Sequence, residues 1–265
     1  MLCAMNKKPT RILVVAVIAA VLSTAFAASQ TTGTSVVQKV QATEGINENT
    51  NDKPEGRGSN RHENEHKPSF AASENLDETK VTELRIAMHD LWVEHVVWTR
   101  QYIVAAASDS PDAPFAAERL LENQDQIGDA IKPLYGDEAG EQLTSLLKDH
   151  ILIAVDLLEA AKVGDTAAVE EIEEKWYENG DDIATFLSEA NPNWTKEDML
   201  SMINEHLSLT KTEAVARLTG DYATDVTTFD ALYVHAVSMA DAFTSGIVKQ
   251  FPEQYEAQEI EDEEE

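Results

Sequence analysis

Four histidines and two asparagines of this chain occupy the places where a metal-binding layer inside a helical bundle would need them. Leu143, Leu147, His150, Ala154, Leu157 and Ala161 step by three or four residues, so His150 sits in the middle of one apolar helix face. His95 holds the same place among Met88, Leu91, Thr99, Tyr102 and Ala106, and His206 among Met199, Ile203, Thr210 and Ala214. His235 follows Leu232 and precedes Met239, while Asn123 lies between Leu120 and Ile127 and Asn179 between Trp176 and Ile183. Neutral imidazole is a ligand for Zn, Cu and Fe, and facing helices of bundles carry such sites. Three imidazoles with an open position suit a catalytic zinc, and four suit a closed site. The expected metal ligands are therefore His95, His150, His206 and His235, supported by hydrogen bonds from Asn123, Asn179 and Glu213, the last being seven residues beyond His206 on its stripe.

The competing reading needs no ligand. A buried polar group is costly unless hydrogen-bonded, and a layer of histidines bonded to asparagines would fix helix register, as a buried Asn does in coiled coils. Two details favour it. The Glu-x-x-His pairs of di-iron bundles are absent from residues 79–252, and Glu94-His95, Asp149-His150 and Glu205-His206 are adjacent pairs that point about 100° apart on a helix. Those acids are expected to face solvent or a neighbouring helix. In favour of a metal, Asn123 and Asn179 stand where the last unit has His235, and glue alone would not require that exchange.

The element that positions these residues is a unit of about 56 residues, read three times. Glu122–Ile127 steps onto Glu178–Ile183, Leu147–Ile151 onto Ile203–Leu207, Asn179 onto His235, and Asp165 onto Asp221 or back onto Asp109. His150 meets His95 with a slip of one residue. Such a unit holds two helices, and periodicity with punctuation predicts six. They run near 80–107, 113–134, 138–163, 165–190, 195–220 and 221–251. Pro111, Gly136, Gly164, Asn191-Pro192-Asn193 and Gly220 divide them, and Thr195 with Asp198 resembles a capping box. The predicted fold is all-α, a six-helix bundle of three tandem hairpins, closed rather than stacked as an open solenoid.

Residues 1–27 read as a secretory signal, with Lys7, Lys8 and Arg11 before the apolar run Ile12–Leu22 and Ala25-Phe26-Ala27 at the cut. An uncleaved anchor is the alternative. That run is shorter than the roughly 20 residues of a membrane span, no later segment reads as more apolar, and no span is expected in the mature chain. Residues 28–78 read as a disordered tether, 79–252 as the bundle and 253–265 as an acidic tail. His62 and His66 lie in the tether, in a composition that favours no helix. Cys3, the only cysteine, would leave with the signal, so no disulfide is expected. The 49 acidic against 20 basic residues, a formal charge of −29, disfavour nucleic acid as a partner.

Over residues 79–252 enzyme signatures are missing: there is no phosphate loop, nucleophile elbow or His-Glu-x-x-His. His62-Glu63-Asn64-Glu65-His66 has the letters of the last, but it lies in the tether, where no helix is expected, and no catalytic residue is assigned. His89 reads as a boundary histidine, Arg100 as ion-paired, and Trp92, Trp98, Trp176 and Trp194 as wedges between helices. Five segments carry a resemblance: His95-Val-Val-Trp98-Thr-Arg100, Asn123-Gln-x-x-Ile127-Gly128, Leu146–Ile151, Ala190-Asn-Pro-Asn-Trp194 and His206-Leu-x-Leu-Thr210. Over about residues 80–252 the chain resembles an uncharacterised family of exported or membrane-tethered all-helical proteins of bacteria and archaea. Its members sometimes carry the automatic label glycosyltransferase. That label would require an α/β fold, and no strand is legible here. The chain thus reads as an exported helical binding protein, with a cell-surface structural or interaction protein as the alternative.

Overall fold

Residues 76–257 are described by a computed structural model, and the expected signal, most of the tether and the end of the acidic tail lie outside them. Six α-helices fill this span: α1 Glu78–Ala107, α2 Ala113–Tyr135, α3 Asp137–Val163, α4 Thr166–Ala190, α5 Lys196–Thr219 and α6 Tyr222–Gln250. No strand occurs among the described residues, and the single bridge pairs Leu76 with Glu256.

The helix ends follow from local chemistry. Asp77, Asp165 and Asp221 accept backbone N–H groups in the first turns of α1, α4 and α6. Thr195 does so for α5, accepting from the Asp198 N–H at 3.1 Å. Asp198 does not complete a capping box, because its carboxylate takes the Thr195 hydroxyl at 2.7 Å. At the other ends Gly164 (φ 75°) and Gly220 (φ 80°) are left-handed, and the next residue's N–H reaches five residues back: Asp165 to Ala160 at 3.1 Å, Asp221 to Ala216 at 2.9 Å. After α1 the same bond runs from Ser110 to Ala105 at 2.9 Å, and the left-handed residue is Asp109 (φ 55°). This corrects one alignment. Asp109 stands where Gly164 and Gly220 stand, and Ser110, not Asp109, matches Asp165. The one-residue slip at His95 therefore runs on to the end of α1. Asp tolerates the left-handed conformation because its short side chain can bond locally.

Each helix packs on its chain neighbours, and α6 also packs on α1. Where α2 meets α3 the backbones nearly touch: a Cβ on Gly128 would lie 2.6 Å from the Gly140 carbonyl oxygen, and one on Gly140 2.7 Å from that of Gly128. The main core joins Trp92, Leu147, Trp176, Leu207, Met239 and Phe243, drawn from all the helices but α2, which adds Ile127. At one end Asn191 donates to the Tyr135 hydroxyl at 2.9 Å, Tyr135 donates to Gln250 at 2.8 Å, and Gln250 donates to the Ala190 carbonyl at 3.0 Å.

One boundary differs from expectation. Tyr255 is buried after the turn Pro252–Gln254, and its carbonyl accepts the Asp77 N–H at 2.7 Å, so packed chain continues past 252. The segment Tyr222–Gln250 also has the length and mean hydropathy, 1.2, of a membrane span. Its apolar face is spent on the core: Leu232, Ala236, Met239, Ala240, Phe243 and Ile247 are all buried.

Candidate functional site

His95, His150 and His206 are 2%, 5% and 6% exposed, and Asn123 and Asn179 are equally buried, so the sequence stripes did locate a polar layer. His235 is half-buried. The layer has one recurring bond. Asn123 donates to the Leu91 carbonyl at 3.1 Å, Asn179 to the Leu146 carbonyl at 3.1 Å, and His235 Nε2 contacts the Met202 carbonyl at 2.9 Å. Each acceptor lies four residues before a layer histidine, so it is the carbonyl that this histidine's own N–H reaches in the helical ladder. The neighbouring helix supplies a second donor to the same oxygen, which has two lone pairs.

His235 thus does what Asn123 and Asn179 do, as a donor from the second helix of a pair to the first. The exchange of Asn for His needs no metal to explain it. The His235→Asn variant is expected to keep the Met202 bond and change stability by less than about 1 kcal/mol. His235→Ala leaves that carbonyl with its ladder bond alone and empties the ring's volume, and is expected to cost about 1–3 kcal/mol. Urea unfolding of the two variants separates these outcomes.

The three remaining rings cluster about His206. Its ring centre lies 5.5 Å from that of His95, 6.2 Å from His150 and 6.4 Å from His235. His150 Nδ1 is held by the Asn179 carbonyl oxygen at 2.9 Å, and its ring stacks on Trp176 at 5.3 Å. The equivalent bond to His95 is missing, and the Asn123 oxygen accepts from Gln124 Nε2 at 3.1 Å. Nδ1 of His95, Nδ1 of His206, Oε1 of Gln124 and Nε1 of Trp176 are buried with no partner. Burial, together with the neighbouring His150, pushes His95 down to about 3 against the pull of the Gln124 amide, which lies close to the ring but outside good hydrogen-bond geometry. Burial pushes His150 down to about 4 against its bond to Asn179. His206 is driven well below its ordinary value by burial and by the three other histidines. These rings are neutral at physiological pH, the state in which imidazole binds metal.

Glu213 has a different partner from the one expected. Two turns beyond His206, it is displaced about 10 Å along α5, and it is fully buried with its carboxylate on Arg100 of α1. Asp225 of α6, 1% exposed, takes Arg100 at 2.7 Å and Arg217 at 3.2 Å. Burial raises Glu213 to about 7, with Arg100 pulling the other way and Asp225 adding to the rise. Arg100 is ion-paired, as read. Asp225 and Gln124 were missed, though Asp225, Thr228, Leu232 and His235 continue one stripe of α6. His89 is half-buried and bonded to Asp241 at 2.8 Å, away from the layer. Of the acids adjacent to the histidines, Glu94 pairs with Arg119 at 2.5 Å, Asp149 is exposed, and Glu205 is exposed 3.6 Å from His235.

Among the described residues no group of three or more His, Cys, Asp or Glu is placed so that it could hold a metal ion. Comparison of the chain with protein-family models, with curated proteins and with solved structures found no match.

Proposed function

We propose that this chain is an exported helical-bundle binding protein whose layer of His95, His150 and His206 takes a transition metal. The observation that carries the reading is the pair of buried, unpartnered Nδ1 atoms on His95 and His206, whose rings stand 5.5 Å apart. Imidazoles that share one metal, with nitrogens about 2.0–2.1 Å from it, hold their ring centres roughly 5–5.5 Å apart. His150, at 6.2 Å from His206, would need a shift of under about 1 Å. His235 is left out because its Nε2 is engaged by Met202. Zn, Cu and Fe all suit imidazole, and the same open nitrogens would accept another small polar ligand.

The tandem arrangement belongs to the same proposal: three hairpins of about 56 residues, closed by the contact of α6 with α1. It is supported by the three layer bonds and the three matched helix ends. So do export by the N-terminal signal and membership in the family of exported helical proteins that residues 80–252 resemble.

The test is elemental analysis of untagged protein carrying His62→Ala and His66→Ala, which removes the tether histidines. About one metal per chain is expected, lost in His206→Gln, with a melting temperature that falls on chelation. At a thousandfold excess over Kd a bound metal stabilises by about 4 kcal/mol. Substoichiometric metal and no response to chelation would overturn the metal reading. The second reading, a structural or interaction protein with a register-fixing layer, would then stand on the three carbonyl bonds.

A further inference from the structure

Beside the layer, toward the Gly164 turn, lies a cavity of about 80 Å³ lined by α1 to α5 and partly open to solvent. Trp176, which stacks on His150, lines the end nearest the layer, and Ala161, Val169 and Leu218 line the far end. From Ile151 to Ala161 the lining advances ten steps along α3, so the slot runs about 15 Å along the helices. Its walls are aliphatic, with Ile103, Leu157 and Ala214 among them. The hydroxyls of Thr99 and Thr210 are spent on the carbonyls of His95 and His206, at 2.7 and 2.9 Å. The charged side chains in the lining are Glu173 of α4 and Lys211 of α5, which neutralise each other across the seam between those helices. That seam is the most sparsely packed of those between neighbouring helices.

We propose that this slot binds the end of a single unbranched alkyl chain on an uncharged amphiphile, admitted between α4 and α5. An apolar lining offers water few hydrogen-bond partners, so a hydrocarbon entering the slot displaces only weakly held water. Shape selects the chain. An apolar cavity of roughly 150 Å³ admits benzene, whereas this one spreads about half that volume along its length and is too narrow for a ring. On the same scale, where roughly 150 Å³ holds the six carbons of benzene, the inserted portion is about three carbons. Charge selects the head: Lys211 is already satisfied by Glu173, and a protein of formal charge −29 repels an anion.

The experiment titrates metal-free full-length protein with butan-1-ol, hexan-1-ol, octan-1-ol, hexanoate at pH 8 and cyclohexanol. It is read by calorimetry and by the indole N–H resonance of Trp176. Butan-1-ol, hexan-1-ol and octan-1-ol are expected to bind within about twofold of one another, because only the last three or so carbons leave water and further methylenes add no burial. Hexanoate and cyclohexanol are expected to bind at least tenfold more weakly than hexan-1-ol. Ala154→Leu and Ala214→Leu each fill the slot and should abolish binding. Should either fail to fold, the other variant and the chain-length plateau still decide. No saturable binding, an affinity that climbs steadily from butan-1-ol to octan-1-ol, equal binding by the filled variants, or tighter binding of hexanoate or cyclohexanol would each overturn the proposal. The outcome is independent of metal in the layer.

Discussion

Metal-free protein is expected to lose about 2.7 kcal/mol of stability per pH unit near pH 5.5, and the Glu213→Gln variant about 4.1 kcal/mol per unit. The unfolded chain protonates its histidines as pH falls through about 6.5, while His95 and His150 stay neutral in the fold down to about 3 and about 4, and His206 is depressed as well. The fold therefore binds fewer protons than the unfolded chain below pH 6.5. Their contribution is intact above that value and is lost as pH falls toward the folded values. Each group removes about 1.4 kcal/mol per unit.

Glu213 acts with the opposite sign. Raised to about 7 from 4.5, it takes up its proton in the fold first, so it adds stability as pH falls through that interval. Three protons lost and one gained leave two, and Gln at 213 restores the third. With total stabilities of about 5–15 kcal/mol, a slope of this size brings acid unfolding within a few units of neutrality. Urea unfolding at intervals from pH 7.5 to 4.5 checks both slopes. A flat profile to pH 5 would mean that the layer admits charge and water.

The second large effect is expected at Asp225. Asp225→Ala removes the carboxylate that joins Arg100 of α1 to Arg217 of α5, both less than a quarter exposed. Breaking a buried pair from one side leaves uncompensated charge and costs about 3–5 kcal/mol. Glu213 softens the loss. Relieved of Asp225, it falls from its raised value and ionises more fully against Arg100. Replacing Arg100 by Leu together with Asp225→Ala and Glu213→Gln removes every charge of the cluster but Arg217, which lies over the Tyr222 ring and is about a quarter exposed. The triple variant is expected to be more stable than Asp225→Ala alone. Equal losses in the single and triple variants would show that packing dominates there.

The sequence revealed whatever depends on near neighbours. Asp165, Asp221, Thr195, Gly136, Gly164 and Gly220 are end signals that act within one turn, and they lie where the helices stop. The buried faces of His95, His150 and His206 were legible because helical periodicity fixes which residues share a face. Partner choice was not legible. Glu213 follows His206 on one stripe, yet its charge is met by Arg100, 113 residues away. Gln124 lies beside Asn123, off the simple stripe, but α2 is flanked by α1 and α3, so it buries a wider arc than a single face. Tyr255 stands among acids after a proline and reads as tail, and only the edge at Leu76 and Asp77 gives it a place to dock.

That edge has a mechanical meaning. Leu76 pairs with Glu256, and the Asp77 N–H is held by Tyr255, so the chain enters and leaves the bundle at one point. Whatever the flanking segments are fastened to, tension between them meets this small seam head-on and opens it bond by bond. It is never spread as shear along the length of a helix. The six helices hang from a single hinge-like clasp, and force applied at the ends tests the clasp before it reaches the layer.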